Sequence, residues 1–402
     1  MTTNMENKLY YQDPYIRTFN AKVVKQEQDP TGSWYIVLNQ TAFYPTGGGQ
    51  PHDLGTLANK AVKNVEEIDG EIRHYIDGPF DDIGKEVIGT IDWERRLDHM
   101  QQHAGQHLLS AAFDHLFGYK TIGFHLGAEI LTIDLETEHL SEQQVQEAEA
   151  LANQVILENR PIETKWVTEE ELSQYNLRKE TKVKEDIRLV IIPDFDDNGC
   201  GGTHPRATGE VRAVKVLDWE RQKKKVRVQF VGGNRVVTQL GQKQRVLLEL
   251  TKILNSPEKE MEQAVLRLLE TNKTLEKDLE QTQEILLHFE AKDLLEKGSH
   301  REKLLVSEVF QNRSIQELQN LARIIITEEE TAIVYFVSEN DKRLQVVCAR
   351  GQAETVSMKQ VIASALPLIN GKGGGNDSFA QGGGEALVSG EEMLQHLLEI
   401  VR

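Results

Sequence analysis

Two histidines, His103 and His107, lie four positions apart in the segment LDHMQQHAGQHLLSAAFDHLFG, residues 97–118. Side chains at positions i and i+4 of a helix are neighbours, so two imidazoles at this spacing can bind one metal ion without any movement of the backbone. Such a pair also arises often by chance, and on its own it is more typical of a protein core or a solvated helix face. A metal site therefore requires further ligands elsewhere in the chain.

The segment NGCGGTHPR, residues 198–206, offers two further ligands, Cys200 and His204, with two glycines between them. Glycine interrupts a helix and lets a loop fold a thiolate and an imidazole back onto one ion. Mixed sulfur and nitrogen ligands favour Zn²⁺ among the common divalent metals. With this segment added, one shared metal site is the favoured interpretation. The residue after His103 is alanine, so the HExxH pattern of zinc proteases is absent.

Both pairs of ligands need a folded α+β domain to position them. Apolar residues at helical spacing, followed by Gly118, predict a helix over residues 97–118. The segment RLVIIPDFD, residues 188–196, predicts a buried strand that leads directly to the cysteine. Hairpins over residues 121–136 and 208–233 and a helix over residues 141–160 complete the predicted domain.

A run of three glycines, Gly47, Gly48 and Gly49, lies in the segment TAFYPTGGGQPHDLG, residues 41–55. Consecutive glycines permit a sharp turn or a close approach of the backbone to a ligand. The segment has neither the GK[ST] ending nor the following helix of a P-loop, so it does not predict a nucleotide-phosphate site. Around it, short strands alternate with turns over residues 17–90 and predict a small β-barrel or sheet.

A long amphipathic helix is predicted after residue 256. Its apolar positions alternate in steps of four and three, as in a coiled coil, with Asn272 at an a position that would fix register. These positions are Met261, Val265, Leu268, Asn272, Leu275, Leu279, Thr282, Leu286 and Phe289. The pattern favours either a helical linker that forms a homodimer or one helix folded against residues 242–254 of the same chain. The C-terminal domain is the other predicted region for a homodimer contact.

The last hundred residues, 300–402, predict a further α/β unit. Strands are predicted in RIIITEE (323–329), TAIVYFVSE (331–339) and LQVVCARG (344–351), with helices near 357–369 and 390–401. The segment GKGGGNDSFAQGGG, 371–384, is too rich in glycine to form core and predicts a loop. Its exposed N–H groups could bind a phosphate, a ligand or a partner backbone, or the loop could serve as a flexible connector.

The composition excludes several classes of protein. A chain of 402 residues exceeds one ordinary core, and 39% hydrophobic with 27% charged residues is typical of a soluble globular protein. No run of 18 apolar residues and no apolar signal core are present, so neither a membrane partner nor secretion is predicted, and a cytoplasmic location is expected. Its two cysteines, Cys200 and Cys348, lie in different contexts, which predicts no disulfide and a core position for Cys348.

The net charge of −18 argues at first against a nucleic-acid partner. However, residues 206–245 contain eleven basic residues and only three acidic ones. Such a basic segment can bind phosphates locally within an acidic chain. A solvated hairpin tip over residues 220–225 explains the lysine run equally well.

Three motifs, FYPTGGGQPHDLG, HAGQH and CGGTHPRATGE, follow one another in this chain. Together they resemble the editing domain of alanyl-tRNA synthetase and the free-standing alanyl-tRNA editing proteins of the AlaX type. The heptad helix and GKGGGNDSFAQGGG resemble the C-terminal domain of the synthetase, which also occurs in DHH-family phosphoesterases. Many relatives have threonine and arginine where this chain has Gln106 and Asn376.

The resemblance implies that His103, His107, Cys200 and His204 bind Zn²⁺. It implies that Thr41, Gln50 and the three glycines Gly47, Gly48 and Gly49 border the substrate pocket, and that Gly373, Gly374 and Gly375 contact tRNA. The reaction implied is hydrolysis of the ester that joins serine, and also glycine, to tRNA(Ala). Thr41 is the first candidate for sensing the serine hydroxyl and His125 the second. The segment before residue 17 is too short for an aminoacylation domain, so action in trans is expected.

Four protein ligands form a closed tetrahedron, which is typical of a structural zinc site. The alternative function is therefore a tRNA-binding or assembly protein whose zinc is purely structural. Phosphoesterase activity is disfavoured, because Asp98-His99 has no upstream aspartate cluster. The predicted α+β architecture comprises a small N-terminal β-barrel (residues 1–92), a zinc-binding editing domain (93–240), a helical linker (241–298) and a C-terminal α/β domain with a glycine-rich loop (299–402).

Overall fold

The structure, a computed structural model, describes residues 5–81, 83–181, 183, 185–300 and 304–400. The chain divides into two units, Met1–Leu250 and Thr251–Arg402. The finer four-domain division predicted from the sequence stays a prediction. None of the helices in the described part of the chain has the length and apolar character needed to cross a bilayer.

A closed six-stranded antiparallel barrel forms the N-terminal part of the first unit and confirms the predicted barrel. Its strands follow the order β1-β2-β5-β4-β3-β6, and a short helix, α1 (Leu9–Gln12), precedes it. Along β1, Phe19, Ala21 and Val23 are buried while their neighbours face solvent, as a half-buried strand requires. The strands are β1 (Thr18–Gln28), β2 (Trp34–Leu38), β3 (Gly55–Leu57), β4 (Lys60–Ile68), β5 (Glu71–Ile76) and β6 (Glu86–Ile91).

Helix α2 (Trp93–Phe117) contains the predicted histidine pair and begins four residues earlier than predicted. The side chain of Asp92 accepts a hydrogen bond from the backbone N–H of Arg95, so Asp92 is the N-cap. Gly118 ends the helix with a φ of 67°, as predicted. Most of the helix is buried, and its buried positions include polar residues such as Arg96, His99 and Gln102, so burial is not confined to an apolar stripe.

Two antiparallel sheets complete the first unit. A four-stranded sheet has the order β12-β13-β8-β7, and a three-stranded sheet has the order β11-β10-β9. Helices α2 and α3 (Glu142–Leu157) pack with the four-stranded sheet around Leu108, Leu131 and Val228, and both predicted hairpins and the capping box at Ser141 are confirmed. The strands are β7 (Thr121–Leu126), β8 (Leu131–Leu135), β9 (Glu163–Val167), β10 (Ile187–Ile192), β11 (Asp196–Gly199), β12 (Val214–Gln222) and β13 (Lys225–Gly232).

Two helices follow the sheets, α4 (Asn234–Leu254) and α5 (Met261–Lys297). The predicted long helix is therefore confirmed. Most of its heptad leucines are exposed: Leu275 and Leu279 retain 60% and 59% of their accessible surface. An exposed apolar stripe of this kind is compatible with a second copy of the chain, and the homodimer stays a prediction.

The second unit contains a six-stranded sheet of order β14-β15-β16-β17-β19-β18, in which β15 and β16 are parallel and the other pairs antiparallel. The strands are β14 (Ser299–His300), β15 (Leu304–Gln311), β16 (Ala332–Asn340), β17 (Arg343–Arg350), β18 (Lys372–Gly375) and β19 (Phe379–Glu385). Helix α6 (Ile315–Glu328) covers one face, and α7 (Met358–Ala365) and α8 (Gly390–Glu399) cover the other. Cys348 is fully buried in this core, as predicted.

The strand predicted over residues 323–329 is wrong, because residues 323–328 belong to α6. The isoleucine run favours a strand locally. A capping box formed by Ser314 and Glu317 starts the helix, and Leu318, Leu321 and Ile325 form its buried stripe. Helical spacing over the longer segment therefore outweighs the local preference.

The glycine-rich loop predicted over residues 371–384 is also wrong, because most of it forms the hairpin β18–β19. A Cβ on Gly373 would lie 2.3 Å from the carbonyl oxygen of Gln381. Close approach of two strand backbones thus explains glycine at this position. The proposed contact of Gly373, Gly374 and Gly375 with tRNA stays a prediction.

Candidate metal centre

Four side chains that are far apart in sequence converge in the first unit: His103, His107, Cys200 and His204. Their potential ligand atoms all lie within 4.8 Å of one another. The Sγ atom of Cys200 is 3.4 Å from Nε2 of His103 and 3.4 Å from Nε2 of His204. The structure therefore brings together both pairs of residues that the sequence singled out.

The two pairs are positioned by different elements. Helix α2 presents both histidines one turn apart on one face. Cys200 follows β11, and its backbone N–H donates to the carbonyl of Arg188 on β10 at 3.0 Å. A Cβ on Gly202 would lie 2.3 Å from the ring of His103, so only glycine lets this loop approach the helix.

Hydrogen bonds to the Nδ1 atoms orient two of the three imidazoles. Nδ1 of His103 lies 3.1 Å from Oε1 of Gln50, and Nδ1 of His107 lies 2.9 Å from Oδ2 of Asp196. Each pairing leaves Nε2 directed to the common centre. Partners of this kind fix the tautomer and ring orientation of metal-binding histidines.

The environment keeps two of the imidazoles neutral. Burial, together with the charge of Arg188, lowers the pKa of His103 to about 3. Burial and the two neighbouring histidines hold the pKa of His204 well below its usual value. Neutral imidazole is the form that binds a metal ion.

The cysteine is biased towards the thiolate. Burial disfavours the charged form of Cys200, but His107 and Arg188 lower the pKa of its thiol below the usual value. Burial also disfavours protonated His107, whereas Asp196 and Cys200 raise its pKa. The pKa directions favour the thiolate at Cys200 and the protonated form at His107, and a divalent cation that replaced this proton would have one thiolate and three imidazoles as donors.

The spacing of the donors also fits a metal ion. Tetrahedral ligands with Zn–N near 2.0–2.1 Å and Zn–S near 2.3 Å lie about 3.6 Å apart, close to the 3.4 Å separations at Cys200. Nδ1 of His204 is buried without a hydrogen-bond partner among the described residues, so its ring has no competing role within the protein. These four side chains could hold a metal ion.

Arg188 supports the cysteine loop (residues 200–204) through hydrogen bonds to its backbone. It is 7% exposed, and its guanidinium donates to the carbonyl oxygens of Cys200 and Gly202 at 2.8 and 2.9 Å. The guanidinium also stacks on Tyr11, 5.0 Å from the ring centre. A buried positive charge beside the thiolate stabilises the thiolate as well as the loop.

A cavity of about 430 Å³ opens beside the four side chains. Its volume is typical of a small-molecule site. The lining residues include Gly48, His103, Gln106, His107, Thr121, Phe124, Arg178, Lys179, Asn198, Cys200 and Gly201. One space is thus surrounded by four parts of the chain: the glycine loop (residues 41–55), α2, β7 and the cysteine loop.

Two hydrogen-bonded bridges join the glycine loop to the cysteine loop. Nε2 of Gln50 donates to the hydroxyl of Thr203 at 2.8 Å, and Oε1 of Gln50 accepts from the backbone N–H of Thr203 at 3.0 Å. The hydroxyl of Tyr44 donates to the carbonyls of Gly47 and Gly201 at 3.0 and 3.1 Å. Gln50 therefore joins the two loops, and its predicted place at the border of the substrate pocket stays a prediction.

Close packing explains one glycine of the triplet. Gly49 has a φ of 79°, and a Cβ there would lie 2.3 Å from the ring of Phe124. Gly48, not Gly49, lines the cavity.

Thr41 and His125 lie apart from the cavity lining. The hydroxyl of Thr41 is 2.9 Å from Nε2 of His74 and accepts from the backbone N–H of Phe43 at 3.0 Å. His125 is exposed on β7, next to the cavity-lining Phe124. Neighbouring strand residues point to opposite faces, so Phe124 occupies the direction that His125 would need.

Sequence reasoning missed Asp196, Arg178, Arg188 and Phe124. Asp196 is buried between His107 and Arg178, whose Nε donates to its Oδ1 at 2.7 Å. One signal was available in the sequence: Arg188 is a charged residue inside the apolar run RLVII. A charge in a buried strand must be paired or hydrogen-bonded, which marks it as structurally or functionally required.

Much of the basic segment is paired in the folded protein. Arg221 pairs with Glu138, and Lys225 and Arg227 both pair with Asp134. The local positive excess counted from the sequence is therefore reduced by acidic residues from other elements. Phosphate binding by this segment stays a prediction.

Replacing Asp196 with asparagine should weaken metal binding by about 10- to 100-fold, because the charge that orients and polarises His107 is lost while the side-chain shape is kept. Competition with a chromophoric chelator measures the affinity. Asp197→Asn is the matched control, since the carboxylate of Asp197 accepts from the backbone of Asn176. Equal metal affinity of the two variants would contradict this role of Asp196.

Three family models match separate parts of the chain. The model for tRNA synthetases class II (A) matches residues 2–95, and the model for the threonyl and alanyl tRNA synthetase second additional domain matches residues 187–229. The DHHA1 domain model matches residues 301–402. The first two matches include the barrel and the cysteine loop.

Similarity to three named proteins extends over 63% to 99% of this chain. The chain is 31% identical over 409 residues to alanyl-tRNA editing protein AlaX-L of Pyrococcus horikoshii, an alignment that covers 99% of each chain. It is 33% identical over 258 residues to alanyl-tRNA editing protein Aarsd1-B of Xenopus laevis, covering 63% of this chain and 62% of that one. It is 30% identical over 403 residues to an alanine–tRNA ligase of Archaeoglobus fulgidus, covering 96% of this chain but 43% of the ligase.

Proposed function

Since the chain belongs to the family of alanyl-tRNA editing proteins, we propose that it hydrolyses the ester of wrongly charged tRNA(Ala), with serine as the main amino acid removed and glycine as the second. One observation carries this proposal: four side chains that could hold a metal ion cluster together, and three of them, His103, His107 and Cys200, line a cavity that the glycine loop helps to form. The chain would act in trans, on tRNA charged by a separate synthetase.

The substrate choice has a physical reason. A synthetase pocket for alanine rejects only weakly a smaller amino acid or one that adds a single hydroxyl. A second site can select for the hydroxyl by forming a hydrogen bond with it, and alanine cannot form that bond. Serine attached to tRNA(Ala) is therefore the substrate for which a separate editing site is most useful.

His103, His107, Cys200 and His204 would hold Zn²⁺. Zinc supplies a Lewis acid that can polarise an ester carbonyl or lower the pKa of water. Gln50 fixes the ring of His103 and the cysteine loop, so the donors are positioned before the substrate arrives. The ring of Phe124 lines one wall of the cavity, with its centre 5.6 Å from that of the His103 ring. Lys179 places a positive charge at the cavity, where a tRNA end carries phosphate.

Thr121 is the strongest structural candidate for recognising the serine hydroxyl. It lines the cavity, and its Oγ1 is buried with no hydrogen-bond partner among the residues that the structure describes. A buried hydroxyl of this kind gains a partner when a substrate hydroxyl binds. Thr41, the candidate named from the sequence, already uses its hydroxyl within the barrel.

Thr121→Val should slow deacylation of Ser-tRNA(Ala) by about 10-fold, the effect of losing one hydrogen bond, and leave deacylation of Gly-tRNA(Ala) nearly unchanged. Thr41→Val is the matched variant and should lower the thermal unfolding midpoint without changing the serine-to-glycine ratio. Rates of release of both amino acids from radiolabelled tRNA measure the ratio. A ratio that changes only in the Thr41 variant would assign recognition to Thr41 instead.

The proposed activity is tested by release of serine from Ser-tRNA(Ala) and of alanine from Ala-tRNA(Ala). Serine should be released faster by more than about 100-fold, and a chelator should stop the reaction. A closed set of four ligands also favours a second candidate, a tRNA-binding protein with structural zinc. Tight tRNA binding without serine release would support that candidate and exclude the editing proposal.

A further inference from the structure

A second cavity, of about 290 Å³, lies along α2 in the first unit. It is lined by Pro51, Arg95, Asp98, His99, Leu126, Gly127, Ala128 and Arg235. The metal-centre cavity and this second cavity have no lining residue in common. No step of the proposed deacylation uses the residues of the second cavity.

The two cavities are nevertheless built on the same elements. In α2, His103 lines the first cavity and His99 the second, one helical turn away, which is about 6 Å along the axis. In the glycine loop, Gly48 lines the first and Pro51 the second, and in β7 the corresponding residues are Phe124 and Leu126. The second cavity therefore lies about one helical turn from the metal cavity along α2.

His99 provides an unused hydrogen-bonding group in this cavity. It is only 4% exposed, and its Nδ1 has no partner among the described residues. Burial, with a contribution from Arg95, lowers the pKa of His99 to about 4, so the ring is neutral near pH 7 and has one N–H to donate. A buried polar atom without a partner is costly, which points to a ligand that supplies one.

Among the described residues that line the second cavity, Arg95 is the cation without an ion pair. Asp98 and Arg235 neutralise each other, with Nε and Nη2 of Arg235 at 2.9 and 2.6 Å from the Asp98 carboxylate. Arg95 uses its Nε to donate to the carbonyl of His52 at 3.0 Å and forms no ion pair with the residues described. Its terminal nitrogens therefore give the cavity a net positive charge.

We propose that the second cavity binds a backbone phosphate near the 3′ end of the tRNA substrate, with Arg95 and His99 as its ligands. The proposal rests on the proposed function for the identity of the substrate. Arginine is well suited to phosphate because its planar fork donates two parallel hydrogen bonds. A neutral histidine adds one further donor. The phosphate would hold the acceptor strand along α2 while the aminoacyl ester lies at the metal centre.

The test measures binding of a fluorescent RNA oligonucleotide that ends in CCA, in several salt concentrations, by fluorescence anisotropy. Arg95→Gln should weaken binding by about 10-fold and reduce the slope of log affinity against log salt by about 0.7, the value for one lost phosphate contact in a single strand. Arg221→Gln, at an exposed arginine paired with Glu138, is the control and should change neither quantity. An unchanged salt slope in Arg95→Gln would overturn the proposal.

Two variants of His99 separate hydrogen bonding from packing. His99→Phe fills the same space without a donor and should weaken binding by about 10-fold. His99→Asn keeps an N–H near the position of Nδ1 and should restore most of the affinity. Equal loss in both variants, or a loss that follows a lower thermal unfolding midpoint, would show a structural role and overturn the proposal.

Deacylation assays distinguish failure of this inference from failure of the proposed function. The KM for Ser-tRNA(Ala) should rise about 10-fold in Arg95→Gln with little change in kcat, whereas hydrolysis of the seryl ester of adenosine, which has no phosphate, should be unaffected. If the wild type binds the oligonucleotide through Arg95 but releases no serine, the proposed function fails and the phosphate site stands. If it releases serine but Arg95 affects neither KM nor binding, the phosphate site fails alone.

Discussion

Replacing Cys200 with alanine is expected to lower the rate of serine release from Ser-tRNA(Ala) by more than about 100-fold, because loss of a direct ligand should exceed the 10- to 100-fold effect of losing a residue that only orients one. The variant should also retain less than one metal ion per chain after dialysis. Cys200 Sγ lies 3.4 Å from two of the three imidazoles, so the donor set loses its only negative ligand. Metal analysis and the deacylation rate measure the two effects on the same preparation.

Cys348→Ala is the matched control for this experiment. Cys348 is fully buried in the second unit, and burial raises the pKa of its thiol above its usual range. The control should lose some stability through a small cavity but keep its metal and its rate. A Cys200→Ala variant that keeps both the metal and full activity would exclude the cysteine from the site.

Replacing Asp53 with alanine is expected to lower the free energy of unfolding by about 3–5 kcal/mol, the usual cost of leaving a buried charge without its partner. Both Asp53 and Arg96 have fully buried side chains. Nε of Arg96 donates to the two carboxylate oxygens at 3.0 and 3.1 Å, and the backbone N–H of Tyr44 donates to the same carboxylate at 2.6 Å. Urea unfolding measured by circular dichroism gives the free energy.

Asp77→Ala is the control for burial. Asp77 pairs with Lys63, and their side chains are 73% and 60% exposed, so removing the pair should cost less than about 1 kcal/mol. Similar losses in the two variants would contradict the claim that burial makes the Asp53 pair important. The Asp53 variant should also bind metal more weakly, because the pair fixes the glycine-loop segment to α2.

The parts of the fold that could be predicted from the sequence are those with a strong local pattern. Helix α2 has apolar residues at helical spacing and a glycine stop, and the strand β10 is an apolar run, apart from Arg188, that precedes CGGTH in the chain. The barrel strands show alternation that the structure retains, as in β1. The four residues of the candidate metal centre could be named because a thiol and three imidazoles at short spacings are uncommon outside metal sites.

The remaining features depend on contacts between distant segments. Asp196 meets His107 across 89 positions of the chain, and no local pattern marks that pairing. Residues 323–329 were misassigned because three isoleucines outweighed, in a short window, the capping signal at Ser314. Thr121 is a candidate only because its hydroxyl is buried beside the cavity without a partner among the described residues.

Helix α2 is continuous from Trp93 to Phe117 and carries Arg96, His99, His103 and His107 on successive turns. An unbroken helix keeps a nearly constant rise, so these groups keep fixed separations of about 1.5 Å for each residue. The helix therefore fixes the distances between the attachment to the barrel, the proposed phosphate site and the proposed metal ligands. A substrate with a shortened or lengthened acceptor strand could reach the phosphate site or the metal centre but not both at once. The protein would then discriminate between substrates by length without contacting any base.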